Sequence, residues 1–366
     1  MPPTGGLPPG LPLGLAEVLA HPREAGTADA ERARAQLEAR LRALGYQVDH
    51  QRFAFPPSAL NGFPVFGAGM GWLALLLLPL LTHRPLPAWA ALTVLSAGLL
   101  ALGVVAWGIG MGYTALGGGM REDANLVAVR PGGPVRRWIV AHLDTKAQGH
   151  SMAGRLVAVW ALVAAGLLLL GLATARLWGT VPVAAAGAGA AAALVAGFLA
   201  GRGRLRGGTV GARDNGSGLV AAFAAAEAGL EPGTGVLITG AEEFGLVGAR
   251  VFARDRAALL RGTEVVNLDT LDDEGPLFLV SHDAAGGAVA QRLQGQLEGL
   301  ALPLRLRRLP LGIFVDSHPL AQGGAAAVTL GRLTWATLRR LHTVRDDAEG
   351  LAFDTALRVG RALARI

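Results

Sequence analysis

Four stretches of this 366-residue chain run for 20 positions or more without a charged residue: Phe63–Thr82, Pro85–Met120, Leu156–Ala175 and Leu177–Gly201. A helix rises about 1.5 Å per residue, so each stretch reaches the length needed to cross hydrocarbon roughly 30 Å thick. Inside hydrocarbon a chain must satisfy its own N–H and C=O groups, which restricts such stretches to helices. Four transmembrane helices in two hairpins are therefore expected. A buried core helix is the ordinary alternative, and it carries most weight for Leu177–Gly201, whose middle is rich in Ala and Gly. A soluble domain seldom needs four such runs, and the whole chain is 52% hydrophobic with a mean hydropathy of +0.42. Trp72, Trp89, Trp107, Trp160 and Trp178 lie within or beside these segments, where indole rings can serve as interfacial anchors.

The remainder has the pattern of an α/β domain. Trp138–Ala141, Val236–Ala241 and Val265–Leu268 are short, apolar and partly β-branched, as expected of strands covered by helices on both faces. Val48–Phe55, Asn125–Val129, Pro276–Val280 and Ala326–Leu330 supply further strands. Ala30–Leu44 predicts a helix with Leu37, Leu41 and Leu44 on one face and Gly45 as its stop. Gly218–Gly229, Val247–Leu260, Asp283–Leu297 and Asp347–Arg365 predict four more. Alternating strands and helices give a three-layer α/β domain. The expected organisation is a flexible Pro/Gly-rich lead-in over 1–27, α/β segments 28–60, 121–154 and 202–366, and hairpins inserted at 61–120 and 155–201.

Five potential metal ligands stand at or just after apolar runs: His142, Asp214, Glu243, Asp269 and His342. Glu242 adds a spare carboxylate. Singly, each has an ordinary alternative: Asp214 before Asn215-Gly216 suits a turn, the Glu pair suits a helix start, and Asp269 before Thr270 suits an N-cap. Jointly, three strands deliver polar residues at their carboxyl ends, the edge where open α/β sheets bind ligands. Two His and three carboxylates, one able to bridge, suit two zinc ions that each keep a position open. The pattern is that of a two-metal hydrolase.

In order along the chain, His-x-Asp at 142–144, GARDNGSG at 211–218, Glu242-Glu243, Asn267-x-Asp269 and His342-Thr343-x-x-Asp346 resemble the di-zinc aminopeptidase family. That family includes glutamate carboxypeptidase, glutaminyl cyclases and the transferrin-receptor ectodomain. The resemblance covers roughly residues 28–55, 122–151 and 207–366. It implies the three-layer zinc-peptidase fold with a central mixed sheet. It also implies that His142 and Asp269 hold one zinc, Glu243 and His342 a second, and that Asp214 bridges them. Asp144 would orient a ligand, and Glu242 would take a proton from the attacking water and pass it to the leaving amine. His/carboxylate sites also accept Co or Mn. The expected function is a membrane-anchored aminopeptidase acting on a peptide or small amide. A glutaminyl-cyclase-like or other amidohydrolase reaction is the second reading, and a non-catalytic membrane scaffold the third. His318, in the loop Asp316-Ser317-His318-Pro319, is a candidate substrate contact. Asp346 supports His342 or pairs with an arginine, His150 suits a loop near a membrane surface, and Arg213 faces outward or binds a substrate carboxylate.

The net charge of +6 and pI near 10.9 do not point to nucleic acid, because the arginines are dispersed and no basic motif interleaves with aromatics. With no Cys, disulfides and thiolate ligands are excluded. Arg52, Arg121, Arg155, Arg202, Arg204 and Arg206 flank the hairpins on the α/β side, against Arg84 and Arg176 at the tips. The positive-inside bias then predicts a catalytic domain on the cytoplasmic side of a bacterial-type plasma membrane. The first 20 residues lack a basic n-region and do not read as a signal sequence.

Overall fold

The computed structural model describes residues 7, 8, 10–111, 119–309 and 313–366. In chain order its elements are α1 (Leu15–Leu19), α2 (Ala28–Ala43), β1 (Gln47–Phe55), α3 (Phe63–Thr82), α4 (Ala88–Gly110), β2 (Arg121–Val129), β3 (Arg137–His142), α5 (Met152–Ala175) and α6 (Val183–Gly201). There follow α7 (Gly218–Ala228), β4 (Thr234–Thr239), α8 (Val247–Asp255), β5 (Glu264–Leu271), β6 (Leu277–Ser281) and α9 (Ala284–Leu297). The last are β7 (Leu304–Arg308), α10 (Ser317–Gln322), β8 (Ala326–Arg332), α11 (Trp335–Arg340) and α12 (Asp354–Leu363). They divide into an α/β unit (residues 1–55, 120–147 and 207–366) and a helical unit (56–119 and 148–206).

The α/β unit is built on one eight-stranded mixed sheet of order β1-β2-β4-β3-β5-β8-β6-β7. At its centre β4, β3, β5 and β8 run parallel, whereas β1 and β2 add an antiparallel edge. Side chains alternate between faces along a strand. Ile139, Ala141, Val236, Ile238, Val266 and Leu268 accordingly pack with α2, α7, α9 and α12, while Trp138, Val140, Leu237 and Val265 pack with α8 and α10. Three layers follow directly from continuous apolar runs that have no polar face to offer water. The ends of neighbouring strands, about 4.8 Å apart, then line up the residues that follow them.

Several elements differ from the sequence expectation. Within the stretch expected to be a flexible lead-in, Leu15, Val18 and Leu19 of α1 are buried in the main core. The final helix begins at Asp354 rather than Asp347, because Phe353 takes a left-handed conformation and Asp273 accepts hydrogen bonds from the N–H groups of Ala352 and Thr355. The α8 helix stops at Asp255. Pro182 occupies the N-cap of α6, so the helix begins at Val183. Residues 112–118 of the second apolar run lie outside the described residues. The edge strand β7 had no counterpart in the expected set.

The helical unit contains four helices long and apolar enough to cross a membrane: Leu60–Thr82, Ala88–Gly110, Met152–Ala175 and Val183–Gly201. Its core joins Phe66, Met70, Leu73 and Leu77 of α3 to Ala186, Ala190, Ala193 and Ala196 of α6. The α3 and α6 backbones meet at Gly67 and Gly197, where a Cβ on either residue would run into the other's carbonyl oxygen. Small residues at such a crossing let backbones approach closely.

Candidate metal centre

Each candidate ligand reaches the site through a local feature of the backbone. His142 ends β3, opposite Thr239 at the end of β4. Asp269 lies within β5 rather than after it, where the pairing with β8 shifts register between Leu268 and Leu271. Such an irregularity re-aims a side chain. Asp214 sits in a tight turn, Ala212–Ser217, and is joined to Asn215 by a cis peptide bond. That turn requires Gly211, whose φ is +54° and whose Cβ would strike Thr145 and the Asp214 carbonyl. The Asn215 carboxamide ties the turn to β5, donating to Leu268 O (2.8 Å) and accepting from Thr270 N (3.2 Å). Ala241, Thr270 and His342 all hold positive φ values without being glycine, so strained backbone is concentrated beside Glu242, Asp269 and at His342 itself.

These residues converge. His142, Asp214 and Asp269 form one group with donor atoms within 4.8 Å of one another, and Asp214, Glu243 and His342 form a second. Asp214 belongs to both. Its Oδ1 lies 3.2 Å from His142 Nε2 and its Oδ2 lies 3.1 Å from His342 Nε2, so one carboxylate addresses both groups. Glu242 Oε2 is 4.0 Å from His142 Nε2, beside the first group.

The supporting hydrogen bonds work through the main chain. His142 Nδ1 lies 3.1 Å from the carbonyl oxygen of Asp144, an acceptor only, so Nδ1 carries a proton and Nε2 is the nitrogen that faces the site. The Asp144 carboxylate instead accepts the N–H groups of Glu242 (3.0 Å) and Glu243 (3.1 Å). Asp346 repeats the device, accepting from Arg213 N (2.9 Å) and Asp214 N (3.1 Å). Its carboxylate thus supports Asp214, not His342 and not an arginine side chain. Arg213 neither faces outward nor reaches toward a substrate. It is buried, donating to Asp272 Oδ2 (3.3 Å) and to the carbonyls of Asp347 and Glu349.

The centre is short of positive charge. Burial pushes Asp144 up to about 6, with His142 opposing and Glu243 reinforcing the shift. Asp269 is pushed up to about 7 by burial and by Asp214, and Asp346 to about 7 for the same two reasons. Burial raises Glu242 well above the usual carboxylate range, with the neighbouring Glu243, Asp316 and Asp269 adding to it against His142. For Glu243 burial acts upward but is overcome by Lys146 and His342, which hold it low. Burial likewise works against the charge on His142, yet Glu242 and Asp214 hold its pKa well above the ordinary value. Two buried donor atoms, Glu243 Oε1 and His342 Nδ1, have no hydrogen-bond partner. Imidazole nitrogens, carboxylate oxygens and an excess of buried negative charge make a donor set that fits zinc or a similar divalent cation.

Three participants were not singled out from the sequence. Lys146, the only lysine in the chain, places its Nζ 2.6 Å from Glu243 Oε2 and 3.1 Å from the Glu243 carbonyl. Its uniqueness was the available signal. Arg23 is fully buried and donates to the carbonyls of Leu143, Val18, His21, Val210 and Gly211, joining the loops that carry His142 and Asp214. Asp316 donates nothing but accepts from Thr239 Oγ1, and burial pushes it up to about 6. Its charge is felt at Glu242 and Asp269. His318, in the same loop, makes an edge contact with His282 at 5.1 Å and a hydrogen bond with Gln322. His150 lies in the helical unit, beside Gly154 and Gly203.

Known proteins share this fold. The family model described as peptidase family M28 matches residues 185–366. A leucine aminopeptidase precursor from Bacteroides thetaiotaomicron superposes with a TM-score of 0.56 at 11% identity, covering 97% of this chain and 94% of that one. Porphyromonas gingivalis glutaminyl cyclase gives 0.55 at 14% identity, covering 96% and 94%. A zinc aminopeptidase from Bacillus subtilis gives 0.55 at 14%, covering 96% and 91%. No curated protein sequence matches the chain significantly. Over residues 185–366, the segment that carries Asp214, Glu242, Glu243, Asp269 and His342, the chain matches peptidase family M28, and with its mixed sheet and polar rim it resembles the di-zinc aminopeptidase family.

Proposed function

We propose that this protein is a membrane-anchored, zinc-dependent aminopeptidase. The observation that carries the reading is the Asp214 carboxylate, which turns one oxygen to each of two histidines while Glu242 stands beside the first. His142, Asp214 and Asp269 would hold one ion, and Asp214, Glu243 and His342 a second. Bound zinc would supply Lewis acidity and lower the proton affinity of a water molecule. Glu242, standing beside the first group, would take the proton of the attacking water and return it to the departing amine nitrogen. Asp144 fixes the main chain on which Glu242 and Glu243 stand, and so the aim of both side chains.

Membrane anchoring is supported by length, hydropathy and surface. Trp72, Leu100, Trp160, Leu167 and Phe198 are all exposed on helices whose interior is also apolar, an outward face suited to lipid rather than water. The arginine distribution favours a catalytic unit on the cytoplasmic side.

Elemental analysis of the detergent-purified protein, combined with hydrolysis of aminoacyl amides by wild type and Glu242→Gln, tests the reading. Two zinc ions per chain with activity lost only in the variant is the expected result. A protein that takes up no metal would refute it. The cyclase reading has a specific support in the Porphyromonas gingivalis neighbour. There the substrate's own amine would replace water as nucleophile, and ammonia released from N-terminal glutaminyl peptides would reveal it.

A further inference from the structure

Between α3 and α6 the helical unit is open to a groove of about 600 Å³, walled by Trp72, Leu75, Leu194 and Phe198 and ending at Arg202, Arg204 and Arg206. We propose that this groove binds one anionic phospholipid, with the phosphate on the three guanidinium groups and an acyl chain along the apolar walls.

Depth is the first argument. From Pro64 to Leu75, both lining the groove, α3 advances eleven residues, about 16 Å. Half the hydrocarbon thickness of a bilayer is about 15 Å. The groove therefore spans one leaflet, the length of one acyl chain. Gly67, Gly71 and Gly197 also line it, at the close approach of the two helices.

Charge is the second. Arg202, Arg204 and Arg206 are exposed, and Arg204 and Arg206 flank Leu205, which bridges Gln148 in antiparallel fashion, so the two fall on one side of the chain. Among the described residues none of the three is held in an ion pair, and Arg202 makes only a long contact with the Gly149 carbonyl at 3.5 Å. The helical unit contains no Asp or Glu anywhere in residues 56–119 or 148–206. Its own sequence supplies no counter-anion for the cluster, whereas a lipid phosphate placed above an apolar slot of leaflet depth satisfies both ends at once.

The proposal rests on the membrane reading of these helices. The full chain would be reconstituted in nanodiscs of phosphatidylcholine with a minor fraction of phosphatidylglycerol, then released into mild detergent, and retained lipid counted by native mass spectrometry. One phosphatidylglycerol per chain, retained in preference to phosphatidylcholine, is expected. Replacing all three arginines by glutamine should weaken that retention on the order of 100-fold, about fivefold for each charge near the surface. Ala68→Trp, at an exposed position in the groove, should abolish it with the arginines intact. Equal retention of both lipids, retention indifferent to either variant, or displacement by glycerol phosphate alone would each overturn it. A chain that stays soluble without detergent would instead refute the membrane reading.

Discussion

Lys146 and Glu243 form a buried ion pair, 2.6 Å from Nζ to Oε2, with each side chain 4% exposed. Glu243 is also one of the three residues that converge on the second candidate cation position. An ammonium group and a divalent cation would therefore share one carboxylate. Lysine provides a compact point charge here, which the planar fork of an arginine would not reproduce.

Lys146→Met should leave the metal-free protein less stable by about 3 kcal/mol, because breaking a buried pair strands the remaining charge. Added zinc should restore more than that loss, since the competing charge has gone. Thermal unfolding with and without zinc, together with a chelator-competition titration, checks both halves. Tighter binding of the second ion in the variant, on the order of tenfold, is expected, and weaker binding would contradict the competition.

Asp346→Asn leaves one acceptor oxygen where two N–H groups, of Arg213 and Asp214, now find one each. Loosening the chain under Asp214 should reduce zinc affinity 10- to 100-fold, the usual scale for a residue that orients a ligand. Zinc content after dialysis against a graded chelator series measures it. Unchanged affinity would mean that the turn is held elsewhere.

Arg23→Met removes donors from five carbonyls and should cost about 3 kcal/mol or more in unfolding free energy. Burial lowers this guanidinium to about 10, with Asp346, Asp144 and Asp214 opposing, so the group stays charged at neutral pH. Chemical denaturation of the detergent-purified variant provides the comparison. Arg23→Lys should recover little, because one ammonium cannot reach carbonyls in so many directions.

The metal-free protein should lose stability as pH rises from about 4 to about 7. Asp346, raised to about 7, and Asp144, raised to about 6, each bind a proton more tightly when folded than the free carboxylate does near 3.8, and that advantage vanishes once pH passes the folded value. The raised values of His142 and His342 act in the same direction, but only above about 6.5. The depressed Asp214 and Glu243 contribute oppositely, with stability that is lost as pH falls below about 4. Thermal unfolding in chelator across this range should trend downward, and zinc should flatten the slope.

The strands and their polar ends were legible because β3, β4 and β5 are buried on both faces, so an apolar run interrupted by His142 or followed by Glu242 stands out in one dimension. The candidate ligands that converge could be singled out for the same reason. Arg23 could not, and Asp346 stood out without its true partners, since both act on main-chain atoms far away in sequence and no side-chain pattern records such contacts. The β7 strand, Leu304–Arg308, alternates Leu and Arg as an exposed edge does, a period-two signal hidden from a search for continuous apolar runs. The loop before α12 depends on Asp273 accepting two distant N–H groups, again a contact without a local signature.

A chain with 33 basic residues and a single lysine offers amine-directed chemistry almost nothing on its surface. Apart from the amino terminus, the one side-chain amine is enclosed against Glu243. Isotopic methylation with formaldehyde would therefore introduce at most one internal signal, located where a cation would bind. The rate at which Lys146 becomes labelled would time the opening of the metal centre, without any engineered tag.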